Sequence, residues 1–181
     1  MPIVMIFGSI ADDVLANKAD VSKAATIRNH TVEDFDNLFA TNVRSPFFLV
    51  QQLLPVLAAG SNIIVISSIA AHAVVGRPDL DGPSLLAYAS TKGALETLVK
   101  NWAAILRPHG IRVNAVAPGV IDTDMSNFAK TEAGREVTLG MQALKRIGKP
   151  EDVADVVAFL ASEAARWITG ASIPVDGGSK L

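Results

Sequence analysis

The chain has no cysteine, which removes disulfides, thiolate metal sites and thiol nucleophiles from consideration. Histidine is nearly as scarce: His30, His72 and His109 are scattered, with no spacing that would close around a metal ion. Aromatic residues make up 6% of the sequence, and Tyr88 is the single tyrosine. With 16 Lys and Arg against 18 Asp and Glu, the net charge of -2 leaves no basic footprint for nucleic acid. No apolar run reaches the length of a membrane span, and the opening Met1 to Phe7 stretch lacks the basic flank of a signal peptide. The expectation is a cytoplasmic protein with neither membrane nor nucleic acid as partner. Glycine is missing from the whole region between Gly8 and Gly60, so no glycine-rich phosphate cradle lies there. Hydrophobic residues, by contrast, make up 50% of the 181 positions. That is enough for one domain, residues 1–181, with a sizeable core.

The most informative stretch runs from Ile63 to Lys92. Ile63, Ile64, Val65 and Ile66 form an apolar, β-branched run that predicts a buried strand of a parallel sheet. Ser67 and Ser68 fall where that strand ends. After a loop rich in Gly, Pro and Asp, a long helical pattern opens with Ala87-Tyr88-Ala89-Ser90-Thr91-Lys92. Tyr88 and Lys92 are four apart and share one helix face. A free phenol titrates near pH ~10 and exchanges protons poorly at neutral pH. A cation beside it favours the phenolate and moves it toward the working range. With a serine hydroxyl at the strand end to hold a substrate oxygen, the set has the parts needed to move a proton while a carbonyl and an alcohol interconvert.

Elsewhere the pattern alternates strands and helices. Ile3 to Phe7 reads as a buried strand with Gly8-Ser9 as its turn, and Ile10 to Arg28 has a weak helical period through Ile10, Val14 and Leu15. Thr31 is placed as an N-cap, with Asp34 three residues on. The helical pattern that follows runs to about Ala59, and Pro46 inside it predicts a kink just N-terminal to that point, near Asn42. The Tyr88 helix runs to about Arg107, stopped by Pro108-His109-Gly110. Ile111 to Ala117 is a strand closed by Pro118-Gly119, and Asp122 to Gly140 is a polar, weakly helical lid. Lys149-Pro150-Glu151-Asp152 starts another helix, and Ala171 to Val175 is the last strand. Alternation of this kind predicts a doubly wound, Rossmann-like α/β fold with a mostly parallel sheet. Sites in such folds gather at the carboxyl ends of the strands.

Ile66-Ser67-Ser68 at a strand end, AYASTKGALETLVKNWAAIL, GIRVNAVAPGVIDTDM and RIGKPEDVADVVAFLASEAARWITGASIPVDGG together resemble the short-chain dehydrogenase/reductase family, and its 3-oxoacyl-acyl-carrier-protein reductase-like members. The resemblance runs from about Thr31 to Gly178. It implies a catalytic set of Asn42, Ser68, Tyr88 and Lys92. Tyr88 would be the acid/base, and Ser68, in preference to Ser67, would place the substrate oxygen. Lys92 would lower the phenol's pKa and, with Tyr88, hold the ribose of NAD or NADP. Asn42 would use its main chain to hold a water near the lysine. Pro118, Gly119, Ile121 and Thr123 would pack on and hydrogen-bond the nicotinamide, through the Ile121 backbone and the Thr123 hydroxyl. The implied function is carbonyl/alcohol oxidoreduction by hydride transfer on a small-molecule substrate, by a homodimer or homotetramer. The residues from Gly76 to Pro83 have the composition of an insertion in the entrance loop. Ser68 as an esterase or lyase nucleophile has no histidine or acid placed beside it.

The N-terminus departs from the family. Its Thr-Gly-x-x-x-Gly-x-Gly turn and its Asn-Asn-Ala-Gly turn have no counterpart by eye. One alignment makes Ile3 to Phe7 the family's fourth strand, with Ile6-Phe7-Gly8-Ser9 replacing Asn-Asn-Ala-Gly. The chain is then N-terminally truncated, with a sheet of about four to five strands in sequential order. The other makes it the first strand, with Ala19-Asp20-Val21-Ser22 against the adenine. The first is preferred, because the distance from Gly8 to Asn42 suits one strand-to-helix connection. The rival to a working enzyme is a catalytically impaired relative that serves as a structural or interaction subunit.

Overall fold

The structure, a computed structural model, describes residues 4–7, 14–75 and 80–179. Five strands form one sheet in the order β1-β2-β3-β4-β5: Val4–Phe7, Val14–Asn17, Asn62–Ile66, Arg112–Pro118 and Ser172–Val175. From β2 to β5 the pairing is parallel, while β1 runs antiparallel to β2. The α-helices are α1 (Val32–Phe39), α2 (Ser45–Leu53), α3 (Leu86–Leu106), α4 (Glu132–Met141) and α5 (Pro150–Ala161).

Alternation along β3 shows why the sheet carries helices on both faces. Ile63 and Val65 join Leu15, Val50, Leu95, Val99 and Val113 in the core beneath α2 and α3. Ile64 and Ile66 point the other way, to Val116 and Leu160 beneath α5. Successive strand side chains face opposite sides, so a continuous run of β-branched residues is what a doubly covered strand requires. Burying each such side chain contributes about 1.5–3 kcal/mol before the entropy of ordering the chain is counted.

Helix boundaries follow local chemistry. The Thr31 hydroxyl accepts the Asp34 N–H at 3.1 Å, capping α1. The long pattern anticipated from Thr31 to about Ala59 is interrupted. Residues Ala40–Arg44 make a π-helical turn, and Pro46 sits in the first turn of α2. The proline's missing donor and ring are accommodated by the wider turn before it. Leu106 is followed by a short 3₁₀ turn, and Gly110 closes it at φ 69°, a conformation that favours glycine.

The N-terminal readings are corrected. The neighbour of β3 is Val14–Asn17, inside the segment read as weakly helical, with Asn17 opposite Val65. Val4–Phe7 lies outside it, antiparallel. Neither alignment of Ile3 to Phe7 holds, and Asn17-Lys18-Ala19-Asp20 leaves the strand beside β3, where Asn-Asn-Ala-Gly was sought. The apolar set Val14, Leu15, Ala16 was too short for its period to decide between helix and strand, and sheet pairing decided it. Ile3, Gly8, Ser9 and Ile10, and Gly76 to Asp79 of the insertion, lie outside the described residues.

Candidate active site

The parallel strands end along one edge, and the predicted site residues come together there. The Ser67 N–H donates to Val116 O at 2.7 Å as β3 gives way to its loop. This places the serine pair next to the end of β4. The first residues of α3 rise from the same edge, and Tyr88 packs with Leu38, Ala70 and Ala87.

The two serines have different surroundings. Ser67 is buried, and its hydroxyl donates to Glu96 Oε1 at 2.8 Å. The Ser172 hydroxyl also donates to that oxygen at 2.8 Å, and His72 Nε2 lies 2.9 Å from it. Glu96 therefore ties α3 to the β3 end and to β5. Ser68 instead caps the short turn that follows, accepting the Ala70 N–H at 3.1 Å, and its hydroxyl is near enough to Tyr88 to favour the phenolate.

Tyr88 and Lys92 sit one turn apart as the spacing requires, with the ammonium 5.4 Å from the ring centroid. Lys92 is 1% exposed, and Nζ donates to Ile66 O at 2.9 Å. The remaining donors go to a residue that carried no catalytic assignment. Asp20 Oδ2 accepts the Tyr88 hydroxyl at 3.0 Å and lies 3.0 Å from Lys92 Nζ. Asp20 Oδ1 is buried with no hydrogen-bond partner among the described residues.

This arrangement reverses one expectation from the sequence. Burial is the largest influence on Tyr88, and the Asp20 charge comes next; both push the phenol above its ordinary range, against the hydrogen bond from Ser68. Burial likewise raises the Asp20 carboxyl and lowers the Lys92 ammonium, while their mutual attraction opposes both shifts. A buried ion pair sharing a phenol is stable only while all three groups satisfy one another.

Asn42 is fully buried in the π-helical turn. Its Oδ1 accepts the Val21 N–H at 3.0 Å. Its Nδ2 donates to Val21 O at 2.8 Å and to Thr91 Oγ1 at 3.1 Å. The side chain thus bolts the loop beyond Asp20 to α3, a role beyond the main-chain role the resemblance implies.

The predicted nicotinamide segment follows β4. The Gly119 N–H donates to Val175 O at 3.0 Å, and an added Cβ would lie 2.8 Å from Asp176 Cα, so only glycine fits this approach. Ile121 bridges to Gly148 in parallel, through Gly148 N–H to Val120 O at 3.1 Å and Asp122 N–H to Gly148 O at 2.8 Å. That pattern turns the Ile121 amide and carbonyl away from Gly148. The Thr123 hydroxyl is exposed and reaches Ile121 O only at 3.5 Å, leaving it available to another acceptor. These donors fit a carboxamide. At Tyr88 and Lys92 a ribose has to compete with Asp20, which accepts the Tyr88 hydroxyl and pairs with the Lys92 ammonium.

From the sequence, Asp20 is placed only in a stretch against the adenine and not beside Tyr88 and Lys92, where it lies. Its signal was Asn17-Lys18-Ala19-Asp20 directly after an apolar run, an altered Asn-Asn-Ala-Gly with the carboxylate in the glycine position. Among the described residues, no cluster of His, Cys, Asp and Glu forms a metal site, and no helix is long and apolar enough to cross a membrane.

The chain is similar to known proteins in both sequence and fold. A family model described as enoyl-(acyl carrier protein) reductase matches residues 4–180. The 3-oxoacyl-[acyl-carrier-protein] reductase FabG of Thermotoga maritima is 35% identical over 176 residues, covering 97% of this chain and 68% of that protein. A tropinone reductase homolog of Arabidopsis thaliana is 39% identical over 170 residues, covering 92% and 60%. Among solved structures, the angucycline C-6 ketoreductase LanV with bound NADP superposes at TM-score 0.83 with 38% identity, covering 93% of this chain and 62% of that one. A blue fluorescent protein from a metagenomic library, in complex with NADPH, gives 0.82 and 36%, covering 91% and 64%. The chain spans about three-fifths to two-thirds of the length of the relatives it matches.

Proposed function

Because the chain belongs to the short-chain dehydrogenase/reductase family, we propose that it is an NAD(P)-dependent oxidoreductase that interconverts a carbonyl and an alcohol on a small molecule. The observation that carries this reading is the convergence of Ser68, Tyr88 and Lys92 at one strand edge, with the Ile121 backbone and the Thr123 hydroxyl after the neighbouring strand. Ser68 would hydrogen-bond the substrate oxygen and hold it against Tyr88, whose hydroxyl gives or takes the proton. Lys92 would stabilise the phenolate formed when that proton leaves. A bound nicotinamide supplies or accepts the hydride. Pro118 and Gly119 would pack against it, with Ile121 and Thr123 on its carboxamide, and Tyr88 and Lys92 on the ribose. Asn42 would act by holding the neighbouring backbone in place.

A homodimer or homotetramer belongs to the same reading. Phe47 and Phe48 on α2 are 40% and 48% exposed, and Ile105 on α3 is 65% exposed. An open groove beside them is lined by Phe39, Val43 and Leu98. Apolar surface at this density marks an interaction face. A cytoplasmic location is also part of this reading, since the nicotinamide pool it would draw on is held there.

The test is oxidation of NADPH and NADH by the purified chain against a panel of β-keto esters, cyclic ketones and aryl ketones. Turnover of a carbonyl with either nucleotide is the expected result; none across the panel by wild type and by Asp20 variants would overturn the reading. A second reading, a catalytically impaired relative serving as a structural or interaction subunit, is favoured by one observation: the Tyr88 hydroxyl is committed to Asp20.

A further inference from the structure

The Asp20 carboxylate has no part in the proposed chemistry, yet it is firmly placed at this site. Its side chain is 13% exposed, and one oxygen accepts from both Tyr88 and Lys92. The loop is pinned on both sides of it. Asn17 Oδ1 accepts the Ala19 N–H at 3.2 Å, and the Asn42 amide grips both polar backbone groups of Val21. These contacts aim the carboxylate into the pair and hold it there.

Resting on the oxidoreductase reading of this site, we propose that Asp20 is an autoinhibitory group. It takes in cis the two donors that a nicotinamide ribose and a carbonyl oxygen must take. The chain then engages a dinucleotide only when the Asp20 side chain leaves Tyr88 and Lys92. Two physical effects make it effective. A tethered carboxylate competes at an effective concentration that a free ligand does not match, so the apparent affinity falls by the fraction of molecules in which the pair is free. An arriving dinucleotide also brings its pyrophosphate charge toward a site where the Asp20 carboxylate already neutralises the lysine. The inhibition is released by displacement rather than by chemistry, because the Oδ2 contacts to Tyr88 and Lys92 are non-covalent and break when the side chain moves away.

The test is a titration of wild type, Asp20→Asn and Asp20→Gly with NADPH, followed by nicotinamide fluorescence, with circular dichroism as the check on folding. Both variants are expected to bind about tenfold tighter or more, the scale of one charge-assisted hydrogen bond returned to the ligand. Equal affinity in all three proteins overturns the proposal and leaves the oxidoreductase reading standing. No saturation of any of the three at about millimolar NADPH, far above a useful affinity, overturns both. If the glycine variant does not fold, Asp20→Asn, which keeps the size and one acceptor, carries the test with the same two outcomes.

Discussion

From Asn62 onward, β3 and β4 each lead into a connection that returns over the sheet to the next parallel strand, and each of their ends carries one part of the site: Ser68 after β3, Ile121 and Thr123 after β4. Before Asn62 the chain is built differently. Two four-residue strands pair antiparallel, and the loop after the second delivers an acidic residue into the Tyr88–Lys92 pair. The later region is fixed by burial, with Ile63, Val113, Ala115 and Val116 inaccessible and the Glu96 network joining β3, α3 and β5. In the earlier region β2 is buried beside β3, but the loop after it is held by a few polar bonds, chiefly those of Asn42 to Val21. The difference separates two properties of a site. Whether the reactive groups meet is decided by the sheet and α3; whether they are free to act is decided by a short loop pinned from outside.

The largest effect expected is on chemistry. Tyr88→Phe, in wild type and in the Asp20→Asn background, should lower carbonyl turnover by about 10²–10⁴-fold, the range of a positioned general acid. Stability should change by only about 1 kcal/mol, one hydrogen bond; steady-state kinetics and a denaturant melt check both halves. Retained turnover would assign the proton to another group.

Next comes the ion pair that joins the two regions. Lys92→Met strips the Asp20 carboxylate of its cation in a buried place, and the denaturation free energy should drop by about 3 kcal/mol. Adding Asp20→Asn should recover most of that loss, since the two changes act on one interaction. Additive losses in the double-mutant cycle would mean that the residues are not coupled.

The chain's sequence showed the two regions unequally. Strands β3, β4 and β5, the long α3 and the Ser68–Tyr88–Lys92 constellation were legible because each rests on a local signal: a β-branched run, a cap, a stop, or a spacing of four. Val14–Asn17 carried no such signal, since a run of three apolar residues does not distinguish a strand from a helical turn, and pairing with β3 made the choice. The partner of Tyr88 was illegible for another reason. The hydrogen bond spans 68 residues of chain, and nothing in Asp20's neighbours announces where its side chain will point. That contact adds to burial, the larger cause, in pushing the phenol up rather than down.

A smaller effect belongs to the pin itself. Asn42→Ala removes the bonds to Val21 and Thr91 and should cost about 2 kcal/mol, the range for buried polar groups left unpaired. Amide exchange at Val21 should quicken far more than at Val65 in β3. Equal change at both amides would mean that Asn42 supports the whole fold rather than the loop.

The smallest effect lies remote from the site. Arg146 makes a two-pronged contact with Asp152, at 2.6 and 2.7 Å, and Asp152 also accepts the Lys149 N–H at the start of α5. The Arg146 hydrogen bonds come first among the causes that hold the carboxyl below its usual range. A depressed carboxyl stabilises the fold above its unfolded pKa and loses that contribution as pH falls through the folded one. Asp152→Asn should therefore melt slightly below wild type at neutral pH. The gap should close only under strongly acid conditions.

The most direct test of the gated pair uses the fact that Tyr88 is the only tyrosine in the chain, so the tyrosinate absorbance band reports it alone. The measurement is a pH titration of that band in wild type and in Asp20→Asn. If Asp20 holds the phenol, wild-type Tyr88 should resist ionisation up to the alkaline unfolding of the chain, and the variant should ionise at distinctly lower pH while still folded. Identical titration curves would contradict the account, because Asp20 would then exert no hold on the group it is placed to control.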